Sequence, residues 1–208
     1  MIPAVVMSVV MALLGAVVGV CVRKLTARLS GADPWPGACE VACAVGGTLA
    51  VMATWPSTTA LALLMWWCVC CSGVDVLVQR LPNVLTLGGG LAVVTIGACA
   101  GHGRAAAVGA AMLTAVMLTA HLLFPRSLGA GDVKLAIGLG GAAGVAGAQA
   151  WMIALLLPPL LTAVVGSVVL LYRRIGRVSS GGRSTGSTVV PHGPSMCVAT
   201  VLAVLSAG

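Results

Sequence analysis

The feature that most constrains the fold is a series of apolar stretches, each close to the length of a membrane crossing. A transmembrane α-helix needs about 20 consecutive, mostly apolar residues. Stretches approaching that length cover residues 3–22, 38–55, 59–78, 84–101, 105–124, 133–149, 151–172 and 190–207. In lipid, a helix satisfies its backbone polar groups internally, so each stretch predicts a helix. The expected fold class is all-α, a polytopic transmembrane helix bundle of about eight spans.

Composition supports this prediction and limits the partners. The chain is 60% hydrophobic and only 7% charged, whereas soluble domains carry about 25% charged residues. Its net charge of +7 does not indicate nucleic-acid binding, because the basic residues lie in short gaps between apolar stretches. We expect residues 1–208 to form a single integral membrane domain in the plasma membrane, with the lipid bilayer as partner and no nucleic acid.

The basic residues predict an orientation in the membrane. No basic side chain precedes the first apolar stretch, which favours an uncleaved anchor with its N-terminus outside. Alternation from there puts ten of the eleven basic residues on the inside and only Arg104 outside, as the positive-inside rule requires. The Ser/Gly-rich residues 178–188 are expected to form a flexible cytoplasmic loop. The inside set is Arg23, Lys24, Arg28, Arg80, Arg126, Lys134, Arg173, Arg174, Arg177 and Arg183.

Eight cysteines do not form the pattern of a metal site. Cys68 and Cys71 make one Cys-x-x-Cys pair, but it lies inside an apolar stretch, with no second pair and no nearby histidine. The cysteines are interpreted as small buried hydrophobes, and no metal or other cofactor is expected.

The chain has four carboxylates, and two of them have ready structural explanations. Asp33 lies in a Gly/Pro-rich segment and is interpreted as a turn residue. Glu40 lies at the start of the second stretch, where the helix dipole favours a negative charge. Asp75 is different, because apolar residues flank it near the end of the third stretch, and an ionisable residue there is a functional candidate. The alternative is that Asp75 reaches water or pairs with Arg80.

Asp132 follows Gly129-Ala130-Gly131 at the start of the sixth stretch. The glycines give the backbone conformational freedom and leave space for another chain; the alternative is a loop followed by an N-cap aspartate. The predicted alternation puts Asp75 and Asp132 on the cytoplasmic side, each at the end of a span. Two carboxyl groups facing each other in a restricted site share a proton. One can then act as general base on a water and the other as general acid, which is aspartic-protease chemistry.

Other chemistry has less support. His102 is placed outside, and His121 and His192 are interpreted as packing or interfacial histidines, because no nucleophile accompanies them in the sequence. Two other functions stay open. One is a transporter that uses Asp75 and Asp132 as ion or proton sites. The other is a non-catalytic membrane assembly factor.

Three segments, in order, resemble the bacterial type IV prepilin peptidases. Gly129-Ala130-Gly131-Asp132-x-Lys134-Leu135 is similar to their GxGD signature. Asp75-x4-Arg80-Leu81-Pro82-Asn83-x-Leu85-Thr86-Leu87 resembles their first aspartate segment, and Val190-Pro191-His192-Gly193-Pro194 resembles their final Pro-Phe-Gly-Pro stretch.

The resemblance implies an activity and assigns residues to it. Prepilin peptidases cleave the leader from prepilin and pseudopilin precursors at the cytoplasmic face of the membrane, in pilus assembly and protein secretion. Asp75 and Asp132 correspond to the two catalytic aspartates. Gly129 and Gly131 correspond to the glycines of the signature and, with Lys134, are the candidate substrate-binding residues.

The chain also departs from the family. Long members carry a cysteine-rich, zinc-binding cytoplasmic domain after the first span. Here the segment between the first apolar stretch, which ends at Val22, and the second has only about 15 residues. The resemblance is therefore to a short form, and we expect cleavage without N-methylation of the new N-terminus. His192 stands where the family usually has phenylalanine.

Overall fold

Each apolar stretch forms an α-helix in the computed structural model of this chain, which describes residues 2–31, 34–53, 55–125, 128–180 and 191–207. The described residues contain no strand, so the predicted all-α fold class is confirmed. The helices are α1 (Ile2–Ser30), α2 (Ala38–Ala50), α3 (Thr58–Val78), α4 (Asn83–Cys99), α5 (Gly103–Leu123), α6 (Ala130–Ala146), α7 (Ala148–Ser180) and α8 (Gly193–Ser206).

Helices α1, α2 and α7 end several residues from the ends of the apolar stretches that predicted them, and α7 continues to Ser180 instead of ending at residue 172. Helix α1 continues to Ser30, so its basic residues lie on its last turns instead of following it. Helix α2 ends at Ala50, five residues before the predicted end. Pro56 disfavours helical backbone at the residue before it. Helix α3 follows, and the Ser57 hydroxyl caps its N-terminus by accepting a hydrogen bond of 3.2 Å from the Ala60 N–H.

Length and surface both suit a membrane. Within the described residues, Ala4–Ser30, Thr58–Val78, Gly103–Leu123 and Ala148–Tyr172 are long and apolar enough to cross one, and α2, α4 and α8 are shorter apolar helices. Large apolar side chains on α1 and α7, including Val5, Val17, Leu160 and Val168, point outward. Water would penalise so extensive an apolar surface, but lipid would not.

Glycines set the close packing between helices. A Cβ on Gly109 of α5 would collide with the carbonyl oxygen of Gly140 on α6, and one on Gly144 would collide with that of Ala105. In the same way, a Cβ on Gly47 of α2 would collide with the carbonyl oxygen of Met11 on α1. Small residues of this kind let helix backbones approach inside a bilayer, where packing drives association. Helix α6 is central, because it packs against α4, α5, α7 and α8.

Tryptophan indoles tie neighbouring elements together. Trp66 donates to the Cys43 carbonyl on α2, Trp151 to the Gly109 carbonyl on α5, and Trp55 to the Ala142 carbonyl on α6, over 2.9–3.1 Å. An indole N–H in apolar surroundings needs an acceptor, so each bond restricts how the helices can slide.

Some predictions fall wholly or partly outside the described residues. Asp33 and Arg126 lie outside them. Of the predicted loop over residues 178–188, the first three are the end of α7 and the others lie outside. The loop, the single-domain organisation of residues 1–208 and the orientation in the membrane therefore stay predictions.

Candidate active site

Asp75 lies in the last turn of α3 and is buried, with 7% of its surface exposed. Helix α3 ends three residues later, where Gln79 adopts a left-handed backbone with a φ of 54°. The carboxylate Oδ2 of Asp75 accepts a hydrogen bond of 3.0 Å from the backbone N–H of Gly193, the first residue of α8. Arg80 is exposed, and no ion pair joins it to Asp75 in the described structure. Neither alternative for Asp75, contact with water at the surface or pairing with Arg80, is observed.

Asp132 lies in the first turn of α6 and is likewise 7% exposed. Its Oδ2 accepts a hydrogen bond of 3.2 Å from the backbone N–H of Gly129. Gly129 occupies the N-cap position and Asp132 lies three residues further on, so Asp132 is not itself the N-cap. The bond satisfies an N–H that the helix leaves free, and the negative charge suits the positive end of the α6 dipole.

The fold brings the two aspartates together. Asp132 is near enough to Asp75 for the two charges to interact. Between their helices, Leu81 of the α3–α4 connection lies against Gly131, the residue before Asp132. Each aspartate commits Oδ2 to a backbone N–H, and the described residues offer no hydrogen-bond partner for either Oδ1. Both Oδ1 atoms are therefore available to other hydrogen-bond partners.

Trp67 fixes the relative position of the helices that carry the aspartates. Its indole N–H donates a hydrogen bond of 2.9 Å to the Leu85 carbonyl on α4. A Cβ on Gly89 of α4 or on Gly138 of α6 would collide with the Trp67 ring. The ring therefore fills a notch between α4 and α6. Because Trp67 belongs to α3, its position in the notch sets the register of α3 against α6.

The predicted substrate-binding residues surround Asp132 in different ways. Gly129 has φ −74° and ψ 147°, which any residue can adopt, and Gly131 is helical. The expectation that these glycines supply backbone freedom is therefore wrong. Gly131 does supply space, because a Cβ there would lie 3.3 Å from the Leu81 Cβ. Lys134 Nζ donates a hydrogen bond of 2.6 Å to Asn83 Oδ1, which joins α6 to α4.

The structure adds residues that sequence reasoning placed outside the site. Gly193 is the donor to Asp75, and His192 before it is near enough to Asp75 for their charges to interact. His121 is likewise near Asp132, and its Nδ1 donates a hydrogen bond of 2.7 Å to the Leu128 carbonyl just before α6. The interpretation of both histidines as ordinary packing residues overlooked this proximity. The Pro-His-Gly-Pro segment could have indicated a role for Gly193 in the site. A lone histidine in an apolar stretch gives no such indication for His121.

Glu40 lies elsewhere, as its position in the sequence predicted. It occupies the first turn of α2, and its Oε1 lies 3.0 Å from Arg23 Nε on α1. The ion pair joins α1 to α2 and accounts for Glu40 without catalysis.

Most of the cysteines are buried, as the interpretation of small hydrophobes requires. All eight are free thiols, but Cys21 and Cys99 are exposed on the outer face of their helices, which corrects the prediction for those two. Among the described residues, no three His, Cys, Asp or Glu side chains are arranged to hold a metal ion.

Comparison with known families gives one match. A model of the type IV leader peptidase family matches residues 62–168. The match includes both aspartates and the helices from α3 into α7, but not α1, α2 or α8. Searches of the curated proteins and of the solved structures found no significant match.

Proposed function

This chain belongs to the type IV leader peptidase family, and from that premise we propose that it is a membrane aspartic endopeptidase. Its substrates are type IV prepilin or pseudopilin precursors, from which it removes the leader peptide. Asp75 and Asp132 are its catalytic residues. Its many apolar helices support a place in the plasma membrane.

The observation that carries this proposal is the pair of buried aspartates. They come from helices α3 and α6, 57 positions apart by their numbers 75 and 132, yet they lie near each other. A buried carboxylate is costly unless it is paired or functional. Among the described residues, neither aspartate forms an ion pair with a lysine, arginine or histidine, which supports a role in chemistry over a role in stability.

The proposed reaction needs only the two carboxyl groups and one water. Two carboxyl groups at close range cannot easily both be ionised, so one holds the proton. The ionised group takes a proton from the water as it attacks the scissile carbonyl carbon, while the protonated group donates to the carbonyl oxygen. When the tetrahedral intermediate collapses, the C–N bond breaks and a proton passes to the leaving amine. The backbone N–H groups of Gly193 and Gly129 fix the carboxyl orientations during these steps.

Gly129, Gly131 and Lys134 are proposed to line the substrate path. Gly131 keeps the space beside Leu81 open. Lys134 holds Asn83 at the start of α4. Both contacts lie at the end of the bundle that carries the aspartates. The uneven distribution of basic residues along the sequence predicts that this end faces the cytoplasm.

We propose that cleavage occurs without N-methylation. The connection between α1 and α2 runs only from Gly31 to Gly37. So short a connection cannot form a domain that binds a methyl donor, because an independent core needs several tens of residues.

Co-expression with prepilin precursors from the same genome tests the proposed function. The mature product is detected by its mobility on a gel and by its mass. The expected result is removal of the leader by the unmodified chain and no removal by an Asp75→Asn/Asp132→Asn double variant at equal membrane abundance. If neither protein cleaves any precursor, the transporter and assembly functions become the better proposals. Proton flux into liposomes would then be measured.

A further inference from the structure

The start of α8 connects Asp75 to helix α7 through two adjacent residues. Gly193 donates its N–H to Asp75 Oδ2 over 3.0 Å. The residue before it, His192, is joined through Nδ1 to Thr162 Oγ1 on α7 by a hydrogen bond of 2.8 Å. His192 and Thr162 are both half-buried.

We propose that His192 is a positioning residue for Asp75, and that Thr162 anchors it. The hydrogen bond between them holds the first residues of α8 against α7. In that position the Gly193 N–H is directed at Asp75. This inference rests on the proposed function only for its effect on cleavage, because the positioning itself can be measured without a substrate.

The first turn of α8 needs such an anchor. The side chain of His192, the N-cap residue, does not cap this helix, so its first N–H groups depend on partners from elsewhere. Pro191 and Pro194 lack an N–H and cannot add backbone donors. Thr162 lies within α7, a helix of 33 residues that packs along α8. The hydrogen bond attaches His192 to this neighbouring helix.

The position of Gly193 leaves no room for a side chain. A Cβ on it would lie 2.7 Å from Asp75 Oδ2, so the backbone itself is in contact with the carboxylate. A small displacement of the α8 start would lengthen the Gly193–Asp75 hydrogen bond and let the carboxyl group rotate. Misplacement of a catalytic group by about 1 Å can cost about a hundredfold in rate.

Hydrogen exchange of the Gly193 amide measures the positioning directly. Residues 191–194 contain only two backbone amides, those of His192 and Gly193, because both flanking residues are proline. Exchange localised to this segment by mass spectrometry therefore reports on very few bonds. The unmodified, full-length protein in detergent should show a protected amide at Gly193.

The variants change the anchor and leave both aspartates in place. Thr162→Val removes the hydrogen bond at similar volume, and His192→Phe removes it while keeping an aromatic ring. Each should speed Gly193 exchange about fivefold to tenfold, as expected for one lost hydrogen bond. The double variant should be no faster than either single one, because both remove the same bond. Thr162→Ser keeps the hydroxyl and should restore protection. Thr119→Val is the matched control, because that exposed hydroxyl bonds the Ala115 carbonyl of its own helix.

Cleavage kinetics provide the second measurement. In Thr162→Val and His192→Phe, kcat should fall about tenfold while KM stays the same, because the chemical step is affected and substrate binding is not. Unchanged Gly193 exchange in both variants would overturn the positioning role, whatever the kinetics. Faster exchange with unchanged kcat would also overturn it, since α8 would then move without affecting Asp75. If the unmodified protein cleaves no precursor, the proposed function fails, and the exchange results decide the positioning separately.

Discussion

Asp75 and Gly193 are separated by 118 residues, yet the backbone N–H of Gly193 donates a 3.0 Å hydrogen bond to Oδ2 of Asp75. The bond joins the end of α3 to the beginning of α8. Asp132 has an equivalent bond from Gly129 within its own segment. The two candidate catalytic carboxyl groups are thus oriented in the same way, one by a distant helix and one by its own.

Replacing either aspartate by asparagine should abolish cleavage. Asp75→Asn and Asp132→Asn keep the side-chain volume, but an amide cannot accept the proton from water, so each should lower the cleavage rate by about 10²- to 10⁴-fold. The double variant should be little worse than either single one, because the two groups act as a unit. The measurement is precursor cleavage at matched membrane abundance.

The other two carboxylates are the controls for that experiment. Glu40→Gln weakens an ion pair with Arg23 that lies away from the site, and Asp33→Asn changes a residue predicted to lie in a turn. Both should keep cleavage within about twofold, as expected away from reacting groups. Normal cleavage by Asp75→Asn and Asp132→Asn would rule out the aspartic mechanism.

A methyl group at Gly193 should damage the site more than one at Gly131. The Cβ of Gly193→Ala would lie 2.7 Å from Asp75 Oδ2, whereas that of Gly131→Ala would lie 3.3 Å from the Leu81 Cβ. Overpacking forces the carboxylate to shift, and because a displacement of about 1 Å can cost about a hundredfold in rate, Gly193→Ala should lose about tenfold to hundredfold. Gly131→Ala should lose less, because Leu81 can shift.

Gly88→Ala is the matched control for both glycine variants. It also lies in a helix, α4, and a Cβ there meets no atom of the described residues within 4 Å. Cleavage and membrane abundance should both be normal. If Gly193→Ala cleaves as fast as Gly88→Ala, the contact with Asp75 has no importance for activity.

Lys134 should act together with Asn83. The Lys134 ammonium donates to Asn83 Oδ1 over 2.6 Å and joins α6 to α4. If this link is its main role, Lys134→Met and Asn83→Leu should each cost about 1 kcal/mol of stability. The double variant should cost no more than either one. The thermal unfolding midpoint in detergent is the measurement.

Kinetics separate that role from substrate binding. A raised KM in Lys134→Met, with a normal KM in Asn83→Leu, would show that Lys134 contacts the substrate directly. Equal effects of the two variants on stability, with no change in KM, would assign it to the helix contact alone.

Reporter fusions should place the N-terminal end of α5 and the predicted loop over residues 178–188 on opposite sides of the membrane. The prediction follows from the ten-to-one distribution of basic residues. A fusion at Gly103 should report the outside and one at Ser184 the cytoplasm. Two fusions reporting the same side would show that the assumed alternation of spans is wrong.

The mature substrate should carry an unmodified N-terminus. Only the residues between Ser30 and Ala38 separate α1 from α2, and these are too few for a methyl-donor site. The exact mass of the mature N-terminal peptide decides between a free and a methylated amine. A methyl group whose presence depends on this protein alone would contradict the prediction.

The sequence alone determined the helices and the identity of the two aspartates. Length and hydropathy predicted each helix, because a membrane crossing imposes a local requirement on about 20 consecutive residues. Asp75 and Asp132 were recognisable because a carboxylate is rare in apolar surroundings, and local motifs surround both.

The tertiary structure alone decided which residues meet at the site. That Gly193 donates to Asp75, that Arg80 does not pair with it, and that Lys134 reaches Asn83 all depend on which helix ends come together. Hydropathy cannot predict such contacts, because every helix in the bundle is apolar on most faces and the pattern does not distinguish one neighbour from another. In lipid, the fit between helix surfaces selects which helices pack together. Here that fit comes from close packing at glycines and from the position of Trp67 between α4 and α6.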